Sequence, residues 1–71
     1  MKKEYRRVYI VANEDGIPFH EQPEDGYTLR EAIARVCREV ETNNKLGLED
    51  HETNYIIYDT SAKPWKSVKF W

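Results

Sequence analysis

The alternation of apolar and polar side chains divides the sequence into short strands and one helix. Residues 5–12, 54–59 and 65–71 are rich in β-branched and aromatic side chains, a composition that favours β-strands. An Asn-Glu-Asp-Gly turn follows the first of these segments, and its Asp-Gly step is a strong hairpin signal because glycine adopts a positive φ at low cost. Residues 17–20 are the predicted return strand, which should be short and at an edge because Pro18 lacks an N–H group.

The clearest predicted element is an amphipathic helix that begins after residue 28. Thr28 and Glu31 have the spacing of a capping box, in which each side chain accepts a hydrogen bond from the backbone N–H of the other residue. Apolar side chains then recur at helical spacing and form one stripe: Leu29, Ala32, Ile33, Val36, Cys37 and Val40. We predict that Ile33, Val36 and Val40 are buried against a sheet.

These elements predict an α+β fold in the order ββαββ. The expected architecture is a small antiparallel sheet of three or four strands with one amphipathic helix packed across one face. A chain of 71 residues is enough for one domain, residues 1–71. Its one cysteine excludes a disulfide within the chain and a zinc site with four cysteine ligands. Because Cys37 lies on the apolar stripe, we expect it to be a buried small hydrophobic residue and not a nucleophile.

Charge is sorted along the chain into blocks. Residues 1–13 carry four Lys or Arg and one acid, and residues 61–71 carry three Lys and no acid. Residues 14–27 carry five acids and residues 49–60 carry four, both without Lys or Arg. The basic blocks coincide with the aromatic terminal strands and the acidic blocks with loops, so we expect a basic, aromatic sheet face with an acidic rim. The rim residues are Glu14, Asp15, Glu24, Asp25, Glu49, Asp50 and Glu52.

The parity of side chains on the two terminal strands defines a candidate binding face. If the side that carries Val8, Ile10, Val68 and Phe70 covers the helix, the opposite side presents rings and cations together. The residues of this predicted face are Tyr5, Arg7, Tyr9, Trp65, Lys69 and Trp71. Rings interleaved with cations stack single-stranded bases and neutralise phosphates, and the same residue types dominate protein-binding hot spots. The alternative is that these rings only cover a sheet too small to have a second layer.

Two histidines next to carboxylates are the nearest approach to a metal site. His20 adjoins Glu21, and His51 lies between Asp50 and Glu52. Neither group has helical i, i+4 spacing, and both fall in polar loops, where solvated side chains are the rule. The sequence also has no glycine-rich phosphate loop, no Gly-x-Ser-x-Gly elbow and no His-Glu-x-x-His motif. We therefore expect no enzyme activity, no catalytic residue, no metal and no cofactor.

The expected function is that of a small non-enzymatic protein-binding module, an inhibitor or regulator of a larger protein. Short α+β chains of this kind are common among accessory proteins of phages and mobile elements. The alternative is a single-stranded nucleic-acid-binding domain that uses the aromatic-basic face. A net charge of −2 gives no overall attraction to nucleic acid, and the acidic rim repels phosphate. We therefore expect another protein as the partner, with a homodimer as an additional possibility and nucleic acid as the less favoured ligand.

No membrane partner is expected. The longest apolar run, residues 8–12, is far too short to cross a bilayer. The N-terminal residues lead into a charged, strand-like segment without the apolar stretch of a secretory signal, so we expect a cytoplasmic protein.

Overall fold

Three antiparallel strands and one helix follow one another in the order β-α-β-β in a computed structural model that describes residues 6–71. The strands are β1 (Tyr9–Asn13), β2 (Tyr55–Asp59) and β3 (Lys66–Val68), and the helix α1 spans Leu29–Lys45. Strand β2 is central, with β1 on one side and β3 on the other. The α+β class with one helix and an antiparallel sheet is confirmed, whereas the ββαββ order and the fourth strand are wrong.

The segment expected as a second strand makes one isolated bridge, between Ala12 and Pro18. The predicted turn before it does form, and Gly16 takes a φ of 81°. Beyond Pro18, the side-chain amide of Gln22 accepts a hydrogen bond from the Val11 N–H at 2.7 Å and donates one to the Val11 carbonyl at 3.0 Å. Proline has no N–H with which to extend a ladder, so the Gln22 amide replaces part of the missing strand.

The core lies between α1 and the side of the sheet that carries Tyr9, Val11 and Ile57. Val11 and Ile57 are fully buried. Tyr9 is 4% exposed, and its hydroxyl accepts a hydrogen bond from the Arg6 guanidinium at 3.0 Å, which satisfies the polar end of the buried ring. The predicted parity of the first strand is therefore wrong, since Tyr9 and Val11 face the helix and Ile10 faces away from it.

The entry into α1 is fixed by the predicted capping box. The Thr28 hydroxyl accepts a hydrogen bond from the Glu31 N–H at 3.2 Å, and the Glu31 carboxylate accepts one from the Thr28 N–H at 3.0 Å. Just before the cap, Gly26 has a φ of 86°, and a Cβ atom there would lie 2.7 Å from the Arg7 carbonyl oxygen. Glycine is therefore required at this position, where the chain lies close to the Arg7 backbone just before it enters the helix.

The apolar stripe of α1 is narrower than its sequence pattern suggests. Ala32, Val36 and Val40 are buried, which confirms the prediction for the two valines. Ile33 is only partly buried at the edge of the core. Cys37 is exposed, so its predicted burial is wrong. Consecutive helical residues are about 100° apart, which places Cys37 well around the helix from the fully buried Val36.

A buried carboxylate joins the end of α1 to the start of β2. Asp50 is 8% exposed, so its assignment to a solvated acidic rim is wrong. Its side chain accepts four hydrogen bonds, from the Asn43 amide at 2.7 Å, the Tyr55 hydroxyl, the Asn54 amide at 2.8 Å and the His51 N–H at 3.0 Å. Burial raises the pKa of Asp50, but these donors outweigh it and lower the pKa from 3.8 to about 2. Burial and then the contact with Asp50 raise the pKa of Tyr55.

No helix within residues 6–71 is long and apolar enough to cross a membrane.

Because Ile57 is in the core and Cys37 is exposed, we predict a large loss of stability in one alanine variant and almost none in the other. Ile57→Ala should lower the free energy of unfolding by ~2–5 kcal/mol, because it leaves a cavity in the core. Cys37→Ala should change it by less than ~0.5 kcal/mol, because the side chain is exposed. Denaturant titrations measure both values. A Cys37→Ala loss as large as that of Ile57→Ala would contradict this packing.

The Asp50 network predicts a loss of stability in acid. Because the pKa of Asp50 is lower in the folded chain, its contribution is complete above the ordinary pKa of 3.8 and disappears as the pH falls from there through about 2. Asp50→Asn should abolish roughly 2 kcal/mol of the pH-dependent change in unfolding free energy. Glu49→Gln, which alters an exposed neighbouring acid, is the matched control. Equal acid profiles for the two variants would show that Asp50 is not the group responsible.

Candidate binding face

The side of the sheet away from α1 has no second layer of helix or strand within residues 6–71. Alternation along the strands places Ile10, Ile56, Tyr58 and Ser67 on this side. Trp65 and Trp71, which flank β3, are 49% and 58% exposed. We call this surface the helix-free face, and it consists of seven residues: Ile10, Ile56, Tyr58, Trp65, Ser67, Lys69 and Trp71.

Each tryptophan of the helix-free face is held by a second ring. The Trp65 and Tyr58 ring centroids are 6.0 Å apart, and Trp71 meets Phe70 edge-on at 5.0 Å. Phe70 packs in turn against the core. The Lys69 ammonium lies 5.9 Å from the centroid of the Trp71 ring. The two indoles therefore have defined positions while about half of each remains open to solvent.

A shallow cleft of about 370 Å³ opens beside Trp71. Its walls come from the two strands β2 and β3 and from the residues that follow β3. The lining residues are Tyr55, Ile56, Ser67, Val68, Lys69 and Trp71. An apolar floor with one cation at its margin suits a protruding apolar or aromatic side chain better than a reacting group.

Arg7 and Tyr9 do not belong to this face, contrary to the sequence prediction. Tyr9 is buried beneath the helix. Both terminal nitrogens of Arg7 contact the Glu31 carboxylate, at 2.8 and 3.3 Å, beside the start of α1. The pKa of Glu31 is lowered by the hydrogen bond from the Thr28 backbone N–H and then by the one from the Arg7 side chain. The remaining residue predicted from the first strand, Tyr5, lies outside the described residues.

Of the three residues predicted from the last strand, Lys69 and Trp71 line one cleft, whereas Trp65 contacts the Tyr58 ring at the other end of β3. Sequence reasoning missed Ile56 and Tyr58, which contribute the middle of the face. The missed signal was the alternation along β2, which is apolar on both sides. Because Tyr55 and Ile57 are on the buried side, the residues between them belong to the opposite side and could have been predicted as part of the face.

The acidic segment between β1 and α1 lies on the opposite side of the sheet from β3. Residues 17–27 run along the outer edge of β1, as the bridges to Pro18 and Tyr27 show. The exposed acids of the predicted rim are Glu14, Asp15, Glu24, Asp25, Glu49 and Glu52, in the loops that follow β1 and α1. Near β3 lies Asp59, whose pKa is lowered by hydrogen bonds from Ser61 and then by the charges of Arg6 and Lys66. The turn that carries Glu14 and Asp15 does reach the helix-free face, because a Cβ atom on Gly16 would lie 3.0 Å from the Tyr58 hydroxyl oxygen.

Two further clefts on the β1 side share Arg35. Its guanidinium lies 5.0 Å from the Phe19 ring centroid and pairs with the Glu39 carboxylate at 3.3 Å. Arg7, in the second cleft, is paired with Glu31. Because these cations already have acidic partners, they serve to hold the loop before α1 against the helix.

The two histidines are not joined into a metal site in the part of the chain that the structure describes. His20 and His51 are both exposed, and no group of three or more His, Cys, Asp or Glu side chains is gathered among these residues. The Asp50 carboxylate beside His51 is committed to its four hydrogen bonds.

The helix-free face thus combines two half-exposed tryptophans with an apolar cleft. No protein-family model matches the chain, and no curated protein or solved structure is similar to it. What the face does must therefore be inferred from its own geometry and chemistry.

Proposed function

We propose that this chain is a small non-enzymatic protein-binding module that inhibits or regulates a larger protein through its helix-free face. The observation that carries the proposal is the pair of half-exposed tryptophans, each fixed by a neighbouring ring. Tryptophan is among the residues most enriched in binding hot spots. Contiguous exposed apolar surface on a small protein is typical of an interaction site.

The arrangement around the rings supports a protein partner. Ile56 and Tyr58 form an apolar centre between the tryptophans, and Lys69 lies at the margin. An apolar centre with a polar rim is the usual anatomy of a protein interface. Because the rings are already held in place, a partner would order few side chains on binding, and the entropic cost of association is reduced.

Nothing in the cleft beside Trp71 supports catalysis. Its titratable side chains are Tyr55, whose hydroxyl is bound to the buried Asp50, and Lys69. A nucleophile paired with a general base is absent from its lining residues. This argues for binding without chemistry.

Single-stranded nucleic acid is the second candidate ligand. It is favoured by one observation, the Lys69 ammonium beside the Trp71 ring, since a cation next to a stacking platform suits a base with its phosphate. The aliphatic Ile56 in the same cleft and the overall charge of −2 favour the protein partner.

The proposal predicts that Trp71→Ala removes binding without removing the fold. A partner captured from the native host and then purified should bind this variant at least ~30-fold more weakly, a loss of ~2 kcal/mol. Leu46→Ala is the matched control, because Leu46 is a large exposed side chain at the end of α1. Calorimetry measures the affinities, and thermal melts should show both variants folded.

Fluorescence gives a direct check on the location of binding. Both tryptophans of the chain belong to the helix-free face, so the chain's own tryptophan emission, after subtraction of the partner's, reports on this surface. The emission should shift to the blue when the partner covers the indoles. Unchanged emission at saturation, or full affinity in both Trp71→Ala and Trp65→Ala, would refute the proposal. Quenching by an oligothymidylate that weakens with added salt would instead favour the nucleic-acid candidate.

A further inference from the structure

The backbone groups on the outer edge of β1 are already used. Tyr9 exchanges two hydrogen bonds with Tyr27, at 3.1 and 2.8 Å, Val11 bonds to Phe19 and Gln22, and the Asn13 N–H bonds to the Ile17 carbonyl at 3.0 Å. A sheet edge covered in this way offers no free ladder to another strand. Any strand added to this sheet must therefore join at β3.

The register of the sheet shows which residue of β3 is open. Because Tyr9 and Val11 bond outward, the residue between them, Ile10, bonds to its partner Tyr58 on β2. Hydrogen bonding alternates along each antiparallel strand, so Tyr58 faces β1 and does not bond to β3. Ser67 is the partner of Tyr58 on β3, and its N–H and C=O therefore point away from the sheet. Neither group has a hydrogen-bond partner among residues 6–71.

The open edge is basic and lies between the two tryptophans. Lys66 and Lys69 flank Ser67, and residues 61–71 contain no acid. The neighbouring acid on β2, Asp59, is engaged by Ser61 and Arg6. Five acids lie in residues 14–27, the segment that runs beside β1, so the two edges of the sheet differ in charge as well as in hydrogen bonding.

We propose that β3 accepts an added strand from the partner protein, and that this strand is an extended, acidic segment. Its backbone would pair with the Ser67 N–H and C=O, and its carboxylates would lie near Lys66 and Lys69. Alternate side chains of the segment would reach the helix-free face beside Trp65 and Trp71. The inference rests on the proposed function, because it names the chemistry of the partner that the same face binds.

The charge on this edge also argues against a second copy of the chain. Antiparallel pairing of two β3 strands about Ser67 would gather the lysines of both copies, Lys66 and Lys69, on one short interface. Like charges brought together across strands are destabilising, and lysine on an edge strand is a common device against self-pairing. An acidic segment removes that repulsion and supplies the missing backbone partners.

The test is a selection of random linear peptides, displayed on phage, on the immobilised chain. Enriched peptides should carry net negative charge and bind more weakly as salt is added. Ser67→Pro removes the outward N–H without removing a hydrogen bond to β2, because residue 67 does not bond to that strand, and should weaken binding roughly tenfold. Ser67→Ala keeps the N–H and should bind like the original chain. Enriched peptides without acidic excess, or full affinity in Ser67→Pro, would overturn the inference.

Hydrogen exchange tests the added strand on the unaltered chain, without the Ser67→Pro substitution. The Ser67 amide should exchange freely in the unbound chain and become protected in the complex with a selected acidic peptide. A Ser67 amide that still exchanges freely at saturation would overturn the added strand. Self-association of the chain that Ser67→Pro abolishes would also overturn it. Loss of binding in Trp71→Ala but not in Ser67→Pro would leave the proposed function standing and refute the added strand. The reverse result would refute the role of the rings.

Discussion

Burial of Tyr9, Val11 and Ile57 against α1 determines which side of the sheet is left open. Both sides of β1 and β2 are apolar, so either could have covered the helix. Tyr9 can be buried because Arg6 satisfies its hydroxyl, and its backbone is paired with Tyr27 just before the helix begins. Once this side is chosen, the strand period of two residues sends the other apolar set to the opposite side, together with the flanking tryptophans.

The two edges of the sheet differ in hydrogen bonding and in charge, and the proposed added strand rests on this difference. The segment between β1 and α1 uses bridges and the Gln22 amide to saturate the edge of β1. Among residues 6–71 the edge of β3 has no comparable cover and carries lysines instead, the defence that an exposed edge commonly uses. Aromatic rings at both ends of this basic edge combine backbone, charge and apolar recognition in one place.

The most strongly shifted acid in the described residues has a structural role. Asp50 accepts four hydrogen bonds and connects the last turn of α1 with the first residue of β2. Perturbed pKa values often indicate active sites, but a carboxylate whose acceptor positions are filled by its own chain stabilises the fold instead. The Asn43 side chain also has a structural role. From the last turn of the helix it donates hydrogen bonds to Asp50 and to the Tyr55 hydroxyl, and so holds the loop that follows.

The sequence by itself determined the helix, its Thr28 cap, the antiparallel α+β class and the parity of the last strand, because these follow from local spacing and from the alternation of side chains along one strand. It did not determine the side of β1 that meets the helix, because alternation carries no information when both sides are apolar. Tertiary structure decided that Tyr9 and Asp50 are buried, that Cys37 is exposed and that Gln22 replaces a strand. Tyr9 is buried and Cys37 is exposed because of the way in which the sheet meets α1. Asp50 is buried because donors from α1, from the loop that follows it and from β2 converge on one carboxylate. No local pattern shows which elements will meet and supply the hydrogen bonds that burial requires.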